Sequence, residues 1–266
     1  MLRDITLGQY YPGTSVIHRL DPRLKIVGTF IFLISLFLVR NFIGFGIAVG
    51  FLALQIAISR VPLSFIFKGL KPVFLIILFT VVVNMFMTRG EPILQWWIIS
   101  LTKEGLYRAG FMGLRLVLLI IGSSLLTLTT KPISLTDGIE KLLSPFRGVG
   151  LPAHELAMMM TIALRFIPTL LEEADKIMKA QMARGADFES GNLLQRAKSL
   201  IPLLVPLFIS AFRIAQDLAM AMEARCYRGG DARTRMHAMT FSWRDAVAAI
   251  CLVAFVAVIV VQSHVL

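Results

Sequence analysis

The chain has 266 residues, 57% apolar and only 16% charged, with a formal net charge of +11 at neutral pH. A soluble domain carries roughly 25% charged residues, and one this apolar would expose large adhesive patches, so the totals exclude an ordinary soluble globule and point to an all-α, polytopic membrane bundle. In a soluble protein the excess of Lys and Arg would suggest nucleic acid; in a membrane protein cytoplasmic loops collect those residues, and no nucleic-acid partner is expected.

Residues 1–11 contain no apolar run and do not read as a cleaved signal peptide. A helical span needs about 20 mostly apolar residues. The first candidates are Ile26–Val39 and Phe42–Ser59, divided by Arg40 and Asn41 into a tight hairpin. Pro72–Thr88, Gly110–Thr129 and Ala246–Gln262 complete a set of about five spans. Arg115, near the outer end of the fourth, is long enough to snorkel to the headgroups. In the second, Gly46 and Gly50 have the small-residue spacing that lets helices approach closely. Few other ionisable groups fall within the spans, which argues against a buried proton or ion pathway.

Loop charge sets the orientation. With the N-terminus inside, the inner segments hold 22 Lys plus Arg and the outer ones 4; the two short inner segments alone outnumber the outer ones 7 to 4. The chain then reads as a multi-pass membrane protein with its N-terminus and its long polar region cytosolic. Trp96 and Trp97 fall at the outer interface and Trp243 at the inner one. The organisation is three-part: membrane helices at 1–130, a cytosolic or interfacial region at 131–244, and a last membrane helix at 245–266.

The middle region has helix-forming runs with prolines at their starts and glycines at their ends. Leu135–Leu143 reads as a short amphipathic helix, and Ala153–Phe166 as one apolar enough to lie against or within the membrane. Two longer helices follow, Pro168 to Arg184 and Pro202 or Pro206 to Arg225, each opening after an Ile-Pro or Val-Pro pair and ending in Ala-x-x-Ala-Arg. About 16 residues at 1.5 Å each give roughly 24 Å, enough to cross much of the inner face. In the first, Leu170, Leu171, Ala174, Ile177, Met178 and Met182 recur at three- and four-residue steps; in the second, Leu204, Leu207, Phe208, Ala211, Ile214, Leu218 and Met222 do so. Such stripes suit helix–helix packing.

Each of these helices delivers an arginine between small residues: Ala183-Arg184-Gly185 and Ala224-Arg225-Cys226. A cation at a helix C-terminus favours the helix dipole, and Gly185 is a natural residue just past a helix end. Small neighbours also leave a guanidinium free to enter a partner's pocket and pair with a carboxylate or carbonyl. Both readings stand at this level.

Catalytic signatures are missing. There is no phosphate-binding Gly-x-x-x-x-Gly-Lys loop. His154-Glu155 begins a zinc-protease motif, but Met158 stands where its second His belongs. The two cysteines, Cys226 and Cys251, have no metal-ligand spacing. No cofactor, metal or enzymatic activity is expected of the chain.

Three separated motifs carry a resemblance. Tyr11-Pro12-Gly13-x-Ser15-x-x-His18-x-Leu20-Asp21-Pro22-Arg23-x-Lys25 is similar to the opening motif of the transmembrane T component of energy-coupling factor (ECF) transporters, ABC-type importers of vitamins and trace metals. Ala183-Arg184-Gly185 and Glu223-Ala224-Arg225-Cys226-Tyr227-Arg228-Gly229-Gly230 resemble that family's paired Ala-Arg-Gly signatures, with Cys226 where glycine is common. The resemblance implies two cytosolic ABC ATPase subunits and a membrane S component as partners. It implies long coupling helices whose terminal arginines, Arg184 and Arg225, dock in the ATPases. It also implies an S-component platform on Leu171, Ala174, Ile177, Met178, Leu204, Leu207, Phe208 and Ala211. The methionines Met158, Met159, Met160, Met178, Met182, Met220 and Met222, concentrated in this region, suit surfaces that repack against partners. Asp21 and Arg23 are expected to organise the inner end of the bundle rather than bind substrate. A dedicated cobalt or nickel importer's subunit is the near alternative, and a stand-alone secondary transporter the distant one, which would want broken helices and paired polar groups at mid-membrane.

Overall fold

The structure, a computed structural model, describes residues 10–88, 92–96, 99–149, 152–188, 192, 198–227, 229 and 240–265. It divides into two compact units, one formed by residues 8–142 with 239–266 and the other by residues 143–238.

The first unit is a helical bundle. Helix α1 (Pro22–Leu38) starts where Asp21 accepts a hydrogen bond from the Arg23 N–H and Pro22 takes the first helical position, whose missing N–H costs nothing there. Helix α2 (Phe42–Ser59) ends on Arg60 in the left-handed conformation, with Pro62 just beyond. Helices α3 (Leu63–Leu70) and α4 (Phe74–Met87) are joined by a 3₁₀ turn at Lys71–Val73. The third span therefore reaches back to Leu63 rather than starting at Pro72: the proline changes the helix type locally without ending the run. A short antiparallel ribbon, β1 (Pro92–Trp96) and β2 (Ile99–Thr102), leads into helix α5 (Lys103–Thr129). At its start Thr102 Oγ1 accepts from the Gly105 N–H, so this span begins seven residues before Gly110. Helix α6 (Pro132–Leu143) follows, and helix α9 (Trp243–Val265) returns to the bundle. The Trp243 side chain is exposed; Trp97 and the Trp96 side chain lie outside the described residues.

The bundle core joins Phe32 and Leu36 of α1, Phe45, Ala48 and Leu52 of α2, Leu118 and Leu125 of α5, and Phe255 and Ile259 of α9. The rings of Phe51 and Phe255 stack with centroids 4.3 Å apart. Gly46 and Gly50 do not mediate the close helix approach expected of them, since a Cβ at either would meet open space. That role falls to Gly122, where a Cβ would lie 2.7 Å from the Phe32 ring. Outward, Leu75, Ile76, Leu78, Phe79 and Val82 of α4 line an open apolar groove.

In the second unit, a 3₁₀ segment (Ser144–Val149) precedes helix α7 (Ala153–Ala183), and helix α8 (Ile201–Ala224) packs against α7. Sequence suggests a break at Ile167-Pro168; the structure runs one helix of 31 residues through Pro168. The ring removes one backbone hydrogen bond, to the Leu164 carbonyl, and the helix-forming runs on both sides carry the helix across the gap. At 1.5 Å per residue α7 is about 46 Å long, nearly twice the sequence expectation. Among the described residues, six helices are long and apolar enough to cross a membrane: α2, α3 with α4, α5, α7, α8 and α9.

Candidate functional site: two arginine-tipped helices and a capped bundle end

The two arginine tips share one backbone geometry. Arg184 is the C-cap of α7; the Gly185 N–H donates to the Met182 carbonyl and the Ala186 N–H to the Gln181 carbonyl, both at 3.0 Å. Arg225 is the C-cap of α8; the Cys226 N–H donates to the Glu223 carbonyl at 2.8 Å and the Tyr227 N–H to the Met222 carbonyl at 3.0 Å. Both are Schellman motifs, which satisfy helix-end carbonyls through a left-handed residue just past the cap. That residue is Gly185 (φ 87°) in the first and Cys226 (φ 56°) in the second. A non-glycine residue pays a steric cost there, and the motif forms regardless. The short sequence repeat thus corresponds to two copies of one structural device.

Ala183, Arg184 and Gly185 are exposed, as are Ala224, Arg225 and Cys226. Among the described residues neither guanidinium has a hydrogen-bond or ion-pair partner. The helix ends are closed by backbone atoms alone, so the arginine side chains are not needed to finish them.

The tips stand far apart. The Tyr227 hydroxyl donates to the Met158 Sδ at 2.9 Å, which pins the end of α8 beside the first turns of α7. Arg184 lies about 26 residues further along α7, or about 39 Å at 1.5 Å per residue.

The apolar stripes divide into covered and uncovered positions. On α7, Ala174 is buried and Leu171, Ile177 and Met178 are half-buried. On α8, Leu203 is buried and Leu207, Ala211, Ile214, Leu218 and Met222 are half-buried, while Leu204 and Phe208 are exposed. The exposed pair belongs to a second stripe that a single-face reading misses: Ile201, Leu204, Val205, Phe208, Ile209 and Phe212 are all exposed. Its signal is in the sequence as Val205, Ile209 and Phe212, spaced by four and three residues beside the first stripe. Met159, Met160, Met182 and Met220 are also exposed.

The opening motif builds the other polar cluster, at one end of the bundle. The Tyr11 N–H donates to the Leu128 carbonyl at 2.9 Å. Lys25 Nζ donates to the Thr129 carbonyl at 2.9 Å, the His18 carbonyl at 3.2 Å and Thr130 Oγ1 at 3.4 Å. The bonds to the Leu128 and Thr129 carbonyls satisfy acceptors at the C-terminus of α5 that no helical N–H reaches. His18 sets the loop: its Nε2 is 3.1 Å from the Tyr11 carbonyl, which can only accept, so the proton sits on Nε2 and Nδ1 accepts from the Ser15 hydroxyl at 2.7 Å. Burial, with a smaller contribution from the Lys25 charge, holds His18 below its ordinary pKa. Gly13 lies against this ring; a Cβ there would be 2.7 Å from it.

Asp245 completes the cluster. Its carboxylate accepts from the Ser242 N–H and from the Asp21 N–H, both at 2.8 Å, tying the start of α9 to the start of α1. Asp21, Lys25 and Asp245 are all buried. These bonds use Asp21 to organise the bundle end; Arg23 adds a 3.9 Å contact with its carboxylate.

Arg115 is not free to snorkel. Its Nη2 donates to the Val39 carbonyl at the end of α1 at 3.0 Å, and its guanidinium lies 5.0 Å from the Phe111 ring centroid and 5.4 Å from that of Phe37. Sequence alone gives the length of that side chain but not the neighbouring helix end that holds it.

The family profile described as CbiQ, cobalt transport protein, matches residues 13–238. Proteins named energy-coupling factor transporter transmembrane protein EcfT match nearly end to end. That of Clostridium kluyveri is 60% identical over 260 residues, covering 97% of this chain and 96% of the relative. That of Ruminiclostridium cellulolyticum is 52% identical over 265 residues, covering 100% and 99%. That of Bacillus subtilis is 47% identical over 260 residues, covering 97% and 98%.

Proposed function

The chain belongs to the family of energy-coupling factor transporter transmembrane proteins, and we propose that it is the membrane subunit that couples two cytosolic ATPase subunits to a separate substrate-binding S component during vitamin or micronutrient uptake. The observation that carries this reading is the pair of exposed arginines, without a hydrogen-bond or ion-pair partner among the described residues, on helix ends closed by the same backbone pattern, with about 39 Å of α7 between Met158, which the Arg225 end touches through Tyr227, and Arg184. Each guanidinium offers a planar fork of donors suited to a carboxylate or carbonyl in a groove of one ATPase. Hydrolysis takes place in those partners. Closure of the ATPases moves the tips, α7 and α8 carry the motion, and the exposed apolar stripe of α8, with the half-buried platform positions of α7, seats the S component. The N-terminus and residues 131–244 face the cytosol in this reading, in a bacterial cell membrane; the distribution of Lys and Arg among the loops supports that orientation.

The test is purification of the tagged chain in mild detergent from cells expressing its own genomic neighbourhood. Two ATPases and one small membrane protein should accompany it; a chain that purifies alone, under conditions where the ATPases are expressed, overturns the reading. A second reading follows from the family description, cobalt transport protein: a subunit dedicated to cobalt or nickel import. Uptake of radiolabelled cobalt by the assembled complex, unaffected by competing vitamins, would favour it.

A further inference from the structure

We infer that Tyr227 is a positioning residue: through its hydrogen bond to Met158 it fixes where the Arg225 tip stands relative to α7, and hence the separation of the two arginines. The inference rests on the coupling function proposed above.

The two tips share one backbone hydrogen-bond pattern, and they diverge in the side chain of the second residue past the cap. At α7 this residue is Ala186, with no side chain to reach a neighbour. At α8 it is Tyr227, held from both ends. Its N–H is bonded to the Met222 carbonyl, and its hydroxyl to the Met158 thioether, across 69 residues of sequence. Arg225, two residues back, is exposed. Phenol and guanidinium therefore leave one hydrogen-bonded turn in different directions, one to the neighbouring helix and one to solvent. Ala219, Met222, Glu223 and Cys226 line an open groove with Tyr227 beside this turn. A tip that transmits displacement has to be fixed to the element it drives. The phenol–thioether bond supplies that fixture at Arg225, while beside Gly185 a Cβ would meet nothing within 4 Å.

The experiment uses the full complex of chain, ATPases and S component in proteoliposomes, reading both ATPase capture and substrate molecules imported per ATP hydrolysed. Tyr227→Phe removes only the hydroxyl. It should leave capture within twofold of wild type and lower the import ratio about three- to fivefold, the scale of one hydrogen bond. Met158→Leu, which keeps volume but no acceptor, should lower it equally, and the double variant should lower it no further. Met158→Gln, which restores an acceptor on a chain of similar length, should keep the wild-type ratio. An unchanged ratio in Tyr227→Phe, a loss in Met158→Gln equal to that in Met158→Leu, or additive losses in the double variant would each overturn the positioning role. If the wild-type chain captures no ATPase, the coupling function itself fails; if it captures them and Tyr227→Phe is silent, only this inference does.

Discussion

Charge reversal at the helix tips gives the sharpest quantitative test. A charge-assisted hydrogen bond contributes about 1.5–3 kcal/mol, and removing one member of a desolvated interfacial charge pair costs about 2–5 kcal/mol. A loss of about 2–4 kcal/mol at each tip weakens ATPase binding roughly 30- to 700-fold. The separation of about 39 Å along α7 far exceeds the screening length of about 8 Å at physiological salt. The two losses should therefore add as free energies. Arg184→Glu and Arg225→Glu should each release one ATPase contact, and the double variant should capture neither subunit. Because backbone atoms alone close both helix ends, the fold should survive: the dipole penalty for a terminal Glu is only about 0.3–1 kcal/mol. Titration of purified ATPases against the variants in detergent, alongside their melting curves, separates the two effects. Wild-type binding by the double variant would refute the docking role. A large drop in melting temperature with unchanged binding would show that the arginines serve the helices instead.

Other outcomes follow from the same structure. Lys25→Met leaves the Thr129 carbonyl without its donor and should cost about 2–4 kcal/mol, read as a melting temperature lowered by roughly 5–10 °C in detergent. Gly13→Ala drives a methyl into the His18 ring and should destabilise the same end of the bundle; a melting curve matching wild type would show that the loop shifts freely. Because burial lowers the pKa of His18, the unfolded chain takes up its proton first as pH falls below about 6.5, so stability should decline over that range. His18→Asn should flatten the decline, and melting curves taken between neutral and mildly acid pH would show it. Phe212→Asp, on the exposed stripe of α8, should reduce S-component retention while ATPases still bind, whereas Leu207→Asp, half-buried, should also lower the melting temperature.

The membrane helices are legible in the sequence wherever apolar runs meet charged loops, because the bilayer imposes length and composition together. The reading fails where a residue's local preference loses to its neighbours. Pro72 and Pro168 look like boundaries, since the residue before a proline avoids the helical region, yet in both places strong helix-forming runs on either side carry the chain through. Lys68 and Lys71 make α3 look like loop, but the Lys68 ammonium sits 5.2 Å from the Phe65 ring centroid and the segment stays helical. Arg184 and Arg225 are legible because their small neighbours repeat. The partnership of Tyr227 with Met158 is not, because it joins positions 69 residues apart that no period connects. Lys25 reads as one more loop cation until the open carbonyls of α5 are seen beside it.

Pro168 leaves α7 with mechanical leverage. The helix is continuous, but one rung of its hydrogen-bond ladder is absent between the portion clasped by Tyr227 and the portion ending in Arg184. That outer arm measures about 24 Å from the proline, so flexing the rung by about 10° swings the guanidinium through about 4 Å. Rotation too small to disturb side-chain packing at the fulcrum would therefore arrive at the far end as a stroke longer than a hydrogen bond.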